Sequence, residues 1–506
     1  MEASIVRAAK AALFCAVLLG AGASPRDAEA KWLKFESPQF VVYTEGGEKE
    51  ARQFIRDLHE YDGLLRMFTG NNMPPSAAKL PIYLVRDNDE IREIQPDLGK
   101  TVGGFFRASP LGAIAVSQRE SDEANSARSV LLHEYAHYYM MQYYPASYPA
   151  WYIEGFAEYF GMTGFRPDTM NVGAASLGRA YGLVTNPWDP IKNILAPAYG
   201  EAQSKMFYEE SWLFVNYMMA DTARRSQLTK YLVALTQGAD PEEALRAATG
   251  MDFAALDEAL KAYLKRGRLP GFAVKRDKTL TVDITMAALP PAADELMFLH
   301  ARLINKGRAS EHVPNAGEVR RRAAKFPNDP FALATVVLAE TAAKEYANAD
   351  VALKTLTEIA PDDINTHYLH ALRYFREGLS DPERRDEHWA LARPHTMKAF
   401  KADPTHYQSL YMYGLTTLLR EEEITENTLN ALLEAQHLAA SVDEFRVEAA
   451  IALSRFGRTK EAMTMLAPLV NSPHAADGGF AIRKLIENIG GGRTIDQPMG
   501  RFGEPE

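Results

Sequence analysis

Two histidines and a glutamate within one short segment have the types and spacing to bind a metal ion and activate water. His133 and His137 lie four residues apart in a segment, residues 130–141, that contains Leu, Ala and Met and lacks Gly and Pro. If this segment is helical, the two imidazoles lie one turn apart on the same face and can share a cation. Zinc prefers imidazole nitrogen, and a catalytic zinc site has three protein ligands and one water. Glu134 would then contact the water as a general base, the alternative being a chance His-Glu-x-x-His on a core helix.

A second segment supplies a third candidate ligand. Sixteen residues separate His137 from Glu154, enough for the first helix to end and for a second helix, opening near Pro149, to pack against it. We therefore predict Glu154 as the third zinc ligand. Glu158, one turn later, is predicted to accept a hydrogen bond from the histidine nitrogen, on His133 or His137, that does not bind zinc. The alternative for both glutamates is an exposed acidic helix edge, where charged side chains usually lie.

These two segments resemble the gluzincin metallopeptidases. The runs 133–137 (His-Glu-Tyr-Ala-His) and 151–159 (Trp-Tyr-Ile-Glu-Gly-Phe-Ala-Glu-Tyr) are similar to the aminopeptidase-N-like branch and to the bacterial peptidase MA-like domains. The resemblance implies a thermolysin-like fold in which Glu154 completes the site of one zinc ion. It also implies hydrolysis of peptide bonds, with Glu134 as the base.

The resemblance extends to a tyrosine further along the chain. Tyr208 in the run 207–214 (Phe-Tyr-Glu-Glu-Ser-Trp-Leu-Phe) is similar to the tyrosine of the family's Tyr-Glu-x-Gly helix start, which stabilises the oxyanion of the tetrahedral intermediate. The alternative for Tyr208 is a packing role, and Tyr199 is the reserve candidate.

The segment before the zinc helix matches the family less completely. Aminopeptidases of that branch have a glutamate there that binds the substrate amine, whereas the run 112–118 (Gly-Ala-Ile-Ala-Val-Ser-Gln) has no acid, so aminopeptidase activity does not follow. This run is predicted to pair with residues 103–108 as a hairpin. By analogy with gluzincins, it is predicted to be the sheet edge that binds an extended peptide; a plain core hairpin is the alternative. The predicted substrate-binding residues are Gly112, Ala113, Ile114 and Ala115.

The remaining patterns divide the mature chain into two domains. Residues 31–268 mix β-rich and helical runs, which predicts an α+β metallopeptidase domain with a small mixed sheet and a helical half. Residues 269–295 contain a short strand-like run and then prolines, and are predicted to be a linker. Residues 296–490 are helical, and two Pro-Asn/Asp-Asp turns 34 residues apart resemble tetratricopeptide repeats with a groove for a protein partner. An unspecialised helical domain is the alternative; the glycine-rich tail, residues 491–506, is predicted to be disordered.

The first thirty residues are predicted to be a secretory signal. Arg7 and Lys10 precede an apolar run at residues 11–21 and small-residue cleavage sites. The run is shorter than the ~18–20 residues that span a bilayer, and an uncleaved anchor is the alternative. The only cysteine, Cys15, lies within this signal. The protein is therefore predicted to be exported, to a periplasm or outside the cell, without disulfides or a later membrane segment.

Together these observations predict an exported zinc-dependent peptidase whose helical repeats bind a partner or the peptide substrate. The net charge of −10 argues against a nucleic-acid partner. One alternative is a catalytically inactive zinc-binding scaffold that acts through its repeats. Another is a zinc hydrolase that acts on carbonyl substrates other than peptides.

Overall fold

A computed structural model describes most of the chain. The described residues are 31–100, 102–119, 127–174, 177–196, 204–267, 269–305, 309–420, 423–472 and 479–493. The predicted signal, Tyr199 and residues 494–506 of the predicted disordered tail lie outside them. Within these ranges no helix has both the length and the apolarity that crossing a membrane requires.

The strands of the N-terminal half, residues 31–290, form two sheets. In chain order they are β1 (Leu33–Glu36), β2 (Phe40–Thr44), β3 (Leu80–Val85), β4 (Gly104–Ser109), β5 (Gly112–Gln118), β6 (Gly164–Phe165), β7 (Thr169–Val172), β8 (Phe272–Lys275) and β9 (Thr285–Ala288). The larger sheet has the order β4-β5-β3-β2-β1-β9, and the smaller one β6-β7-β8. The larger sheet is mixed, because β2, β3 and β5 pair in parallel whereas its other pairs are antiparallel.

The helices of this half pack against the larger sheet and against one another. They are α1 (Glu48–Thr69), α2 (Asn88–Ile94), α3 (Ala127–Tyr143), α4 (Ala150–Gly161), α5 (Leu177–Thr185), α6 (Ile191–Leu195), α7 (Phe207–Met219), α8 (Thr222–Thr236), α9 (Pro241–Thr249) and α10 (Phe253–Lys265). The predicted α+β arrangement, a mixed sheet with a helical part behind it, is present in these residues.

The helical half, residues 291–490, consists of successive helices with two short 3₁₀ turns at Pro382–Arg384 and Ala467–Leu469. The helices are α11 (Pro291–Ile304), α12 (Ala309–Ala323), α13 (Pro330–Ala342), α14 (Tyr346–Ile359), α15 (Ile364–Ser380), α16 (Arg385–Ala402), α17 (Tyr407–Leu418), α18 (Glu426–Leu438), α19 (Asp443–Arg455), α20 (Thr459–Leu466) and α21 (Phe480–Gly490). The predicted all-helical second part is therefore present.

The 34-residue spacing in the sequence is the spacing between two helix starts. Asp329 accepts a hydrogen bond of 3.0 Å from the Ala332 amide at the start of α13, and Asp363 accepts one of 3.1 Å from the Thr366 amide at the start of α15. Both aspartates are N-caps, which satisfy amides that have no partner within the helix. The next pair is longer, since α15 and α16 contain 17 and 18 residues against 13 and 14 in α13 and α14. This difference makes the period irregular in the sequence.

The prediction of a linker at residues 269–295 is wrong. β8 pairs with β7, and β9 pairs with β1, so both strands in this segment belong to the sheets. α11 already begins at Pro291, and its Ala293 and Met297 pack in a core that covers one face of the larger sheet. The four side chains of β9 are all exposed. The strand therefore lacks the alternation of apolar and polar residues by which a strand is recognised in a sequence.

Candidate metal and catalytic site

Helix α3 brings the two histidines together. Apolar residues before and after them, including Leu131, Leu132 and Met140, are buried in the main core and fix the helix against the sheet. The Nε2 atoms of His133 and His137 lie 3.0 Å apart, and the two rings meet nearly at right angles. The predicted placement of both imidazoles on one helical face is therefore present.

Helix α4 carries Glu154 to the same point. Its side chain is fully buried, and one carboxylate oxygen lies 3.5 Å from Nε2 of His133 and 3.4 Å from Nε2 of His137. Ligand atoms that are about 2.0–2.2 Å from a tetrahedral zinc ion lie about 3.4 Å from one another. The three atoms thus form a triangle of the size that zinc needs, and these three residues were the ligands predicted from the sequence. The donor set of two imidazoles and one carboxylate also fits zinc chemically.

Two glycines in α4 permit this close packing. A Cβ atom built on Gly155 would lie 2.7 Å from the carbonyl oxygen of Ser211 in α7, and one built on Gly161 would lie 3.0 Å from Cβ of His133. Any larger residue would push α4 away from its neighbours. Gly155 follows Glu154 directly, so its small size helps to set the depth at which the carboxylate sits between α3 and α7.

Carboxylates determine the electrostatics around the histidines. Burial disfavours a charged imidazole, but the neighbouring Glu154, Glu158 and Glu134 outweigh it and raise the pKa of His133 above its usual value of 6.5. An oxygen of Glu158 lies 3.8 Å from Nδ1 of His133, the nitrogen opposite the one that faces Glu154. This distance exceeds that of a hydrogen bond, although Glu158 does face the predicted nitrogen.

Arg179, which sequence reasoning did not find, holds Glu158. Its guanidinium donates to the two carboxylate oxygens at 2.6 and 3.1 Å, and it lies 3.3 Å from Glu209. Two parallel hydrogen bonds of this kind fix the orientation of a carboxylate. Helix α5 carries Arg179.

Tyr208, the predicted oxyanion donor, lies in the first turn of α7 and is half-buried. The Arg179 guanidinium carbon lies 5.0 Å from the centre of its ring. Burial, and after it the charge of Glu154, raises the pKa of Tyr208, so the phenol keeps its proton at neutral pH. The structure thus places a phenol near the three candidate ligands.

Two clefts adjoin the histidine pair. One has a volume of about 690 Å³ and is lined by Glu134 and His137, together with β4 and the loop after α3. Residues of the helical half, among them Ser441 and Glu444, form part of its wall. The other has a volume of about 620 Å³ and is lined by His133, Glu158 and Arg179. Glu134, the predicted base, therefore faces a cavity large enough for several residues of a peptide.

The prediction that residues 112–115 form a peptide-binding edge is wrong. β4 pairs with all four residues on one side, and β3 pairs with β5 from Ala115 onward on the other, so β5 lies inside the sheet and not at its edge. Its four predicted residues, Gly112, Ala113, Ile114 and Ala115, are buried, because alternate side chains pack in the cores on the two faces of the sheet. The edge next to the cleft is β4 instead.

Comparisons with known proteins add little to this geometry. No protein-family model matches the chain, and a search of curated proteins finds no match. Among solved structures, the chain is similar to a thermophilic TPR protein of Thermus thermophilus, with 19% identity and a TM-score of 0.30, over 36% of this chain and 91% of that one. The case for the site therefore rests on its own residues.

Proposed function

We propose that this chain is an exported zinc-dependent peptidase of the gluzincin type, with a thermolysin-like arrangement of its N-terminal half. The observation that supports the proposal most is the convergence of two imidazoles and one buried carboxylate beside a cleft that Glu134 lines. No other group of three or more His, Cys, Asp or Glu side chains in the described ranges converges in this way.

His133, His137 and Glu154 would hold the ion. Zinc bound there would make a water molecule more acidic and polarise a carbonyl oxygen, the two requirements of peptide hydrolysis at neutral pH. Glu158, oriented by Arg179, would keep His133 in position from the opposite side of its ring.

Glu134 would act as the general base and then as the general acid. Its carboxylate would take a proton from water as the water oxygen forms a bond to the scissile carbonyl carbon. It would pass this proton to the amide nitrogen as the C–N bond breaks, so that the amine departs neutral. The phenol of Tyr208 would donate a hydrogen bond to the carbonyl oxygen as negative charge develops on it.

The clefts on the two sides of the histidine pair suit an extended peptide. The helical half would serve to bind the substrate or a protein partner, and the first thirty residues support export of the chain. The same zinc chemistry serves other carbonyl compounds, and the substrate therefore has to be identified by experiment.

The test is cleavage of an unbiased peptide library by the purified chain, with and without a zinc chelator. We expect cleavage that the chelator abolishes and added zinc restores. Glu134→Gln should retain zinc but lose about 10²- to 10⁴-fold in kcat, the contribution of a positioned acid–base group. Glu258→Gln, the same change on an exposed face of α10, is the control and should be fully active. Zinc binding without cleavage of any peptide would favour the scaffold or the other hydrolase.

A further inference from the structure

The C-terminal turn of α3 is buried against the helical half. Gln142, in this last turn, is 8% exposed. Its side-chain amide donates to the carbonyl of His437 at 2.8 Å, and its oxygen accepts from the amide of Ala440 at 2.8 Å. His437 lies in the last turn of α18, where carbonyl groups have no partner within the helix. One side chain of the N-terminal half therefore completes the hydrogen bonding of a helix end in the other half.

A buried arginine makes the reciprocal contact. Arg446 of α19 is 3% exposed, and its guanidinium donates to the carbonyls of Met141, Ala440 and Met465 at 3.2, 3.3 and 3.4 Å. Met141 lies in the last turn of α3, one turn after His137. Burial lowers the pKa of Arg446 to about 10, so the group is charged at neutral pH. A cation at this position also interacts favourably with the negative end of the dipole of α3.

The helical half also contacts the hairpin of β4 and β5, in which β4 is the edge strand of the larger sheet. The turn between β4 and β5 lies between α11 and α17: the side chain of Ser109 donates to the carbonyl of Ile304 at 3.3 Å, and that of Gln408 donates to the carbonyl of Leu111 at 3.4 Å. Gly112 has a φ of 149°, and a Cβ atom there would lie 3.4 Å from Ile304. Two helices of the helical half, α11 and α17, are thus in contact with the chain's own hairpin.

We propose that the helical half is a positioning element of the metal site, in which Arg446 and Gln142 hold the last turn of the helix that carries both histidines. The amide of Met141 and the carbonyl of His137 are partners in the ladder of α3, so a shift of the last turn moves the His137 backbone. The inference rests on the proposed function for its effect on hydrolysis. Its effect on α3 and on zinc affinity does not depend on hydrolysis.

The test compares Arg446→Met, which removes the charge and keeps the length, with Arg446→Lys, which restores the charge. Arg458→Met, a change at a partly exposed arginine of the same half whose partner is Glu461, is the matched control. Hydrogen exchange of residues 140–143 is measured in the zinc-free full chain, and zinc affinity is measured by competition with a chelator.

We expect Arg446→Met to accelerate exchange at residues 140–143 by about 10- to 100-fold, the factor that corresponds to a lost hydrogen bond to a charged group. Zinc affinity should fall about tenfold. The lysine variant should recover part of both effects, and Arg458→Met should change neither. If the peptidase is active, kcat should fall more than KM rises.

A folded Arg446→Met variant with unchanged exchange and zinc affinity would overturn the inference. If this variant does not fold, Gln142→Met removes the two hydrogen bonds on the other side of the contact, and the same outcomes apply to it. A faster exchange in a chain that cleaves no peptide would support the positioning role and count against the peptidase. Peptide cleavage by the wild type, with hydrogen exchange unaltered in either variant, would support the peptidase and overturn the positioning role.

Discussion

Two fully buried glutamates, one in each half, have different neighbours. Glu154 in α4 lies within 3.5 Å of two imidazole nitrogens. Glu448 in α19 is equally inaccessible, but neither of its oxygens accepts a hydrogen bond from the part of the chain that the structure describes. Burial, opposed by Arg455 and reinforced by Glu444, raises the pKa of Glu448 to about 8. This carboxyl is therefore mostly protonated and neutral at pH 7.

The difference shows that burial alone does not identify a site. A buried carboxylate can stay charged when cations or hydrogen-bond donors surround it, and it takes up a proton when they do not. Glu154 belongs to a group of three converging side chains that could hold a metal ion, whereas Glu448 belongs to no such group among the described residues. The same substitution, Glu to Gln, at both positions tests this difference.

The largest expected effect is on metal binding. Glu154→Gln should reduce zinc affinity by more than the roughly 10- to 100-fold that losing an outer hydrogen-bond partner costs, because a direct ligand is removed. Hydrolysis should fall with it. Glu448→Gln, at the same burial, should bind one zinc per chain with unchanged affinity. Metal analysis after dialysis against a weak chelator distinguishes the two, and equal zinc retention by both variants would refute the ligand assignment.

The next effect concerns the phenol near Glu154. Tyr208→Phe should lower kcat by about 10²- to 10³-fold, the usual result of removing one oxyanion donor, with KM and zinc content unchanged. Tyr181→Phe, at an exposed position on α5, is the control and should match the wild type in steady-state kinetics. Full activity of Tyr208→Phe would leave this tyrosine with a packing role only.

The close approach of α4 to α7 predicts opposite effects on stability for two glycine substitutions. Gly155→Ala places a methyl group 2.7 Å from Ser211 and Val215, and overpacking of this kind costs about 1–3 kcal/mol. Gly63→Ala in α1, where a Cβ atom meets nothing within 4 Å, should instead stabilise the helix by about 0.5–1 kcal/mol. Denaturant unfolding measures both, and a neutral Gly155→Ala would show that α4 has room to move.

The last effect, spread over several pH units, is a pH dependence of stability that arises from Glu448. Its pKa is raised from 4.5 to about 8 in the folded chain, so between these values the unfolded chain loses a proton that the folded chain keeps. The contribution of this group to the free energy of unfolding is fully present below pH 4.5 and is lost as pH rises through 8. In this range the free energy of unfolding falls by up to about 1.4 kcal/mol per pH unit. The stability of Glu448→Gln should lack this slope. Glu210, whose pKa is also raised to about 8 by burial, contributes equally to both proteins, so the difference between their two curves of stability against pH should show the slope from Glu448 alone.

The convergence of the three candidate ligands could be predicted because it depends on residues that are close in the sequence. The spacing of His133 and His137 within one helix, and of Glu154 in the next, determines most of the geometry. The succession of an α+β half and a helical half was similarly visible in the hydrophobic patterns. Arg179 and Arg446 could not be predicted, since nothing in the residues around them indicates which distant carboxylate or carbonyl they contact.

The errors at β5 and β9 have a related cause. The sequence indicates that β4 and β5 form a hairpin, but the strand at the edge is decided by the parallel pairing of β5 with β3. β9 is recognised only through β1, which lies about 250 residues earlier in the chain. Pairing between strands this distant is not encoded in either strand alone.

The contact of Arg446 with Met141 joins residues 305 positions apart, and it therefore affects the order of assembly during synthesis. A ribosome releases the N-terminus first, and domains generally begin to fold in that order. Helix α3 is complete long before its C-terminal carbonyl meets the arginine, so a nascent chain contains both histidines but lacks this support. Maturation of the metal site should consequently be a late event that follows translation of almost the entire polypeptide.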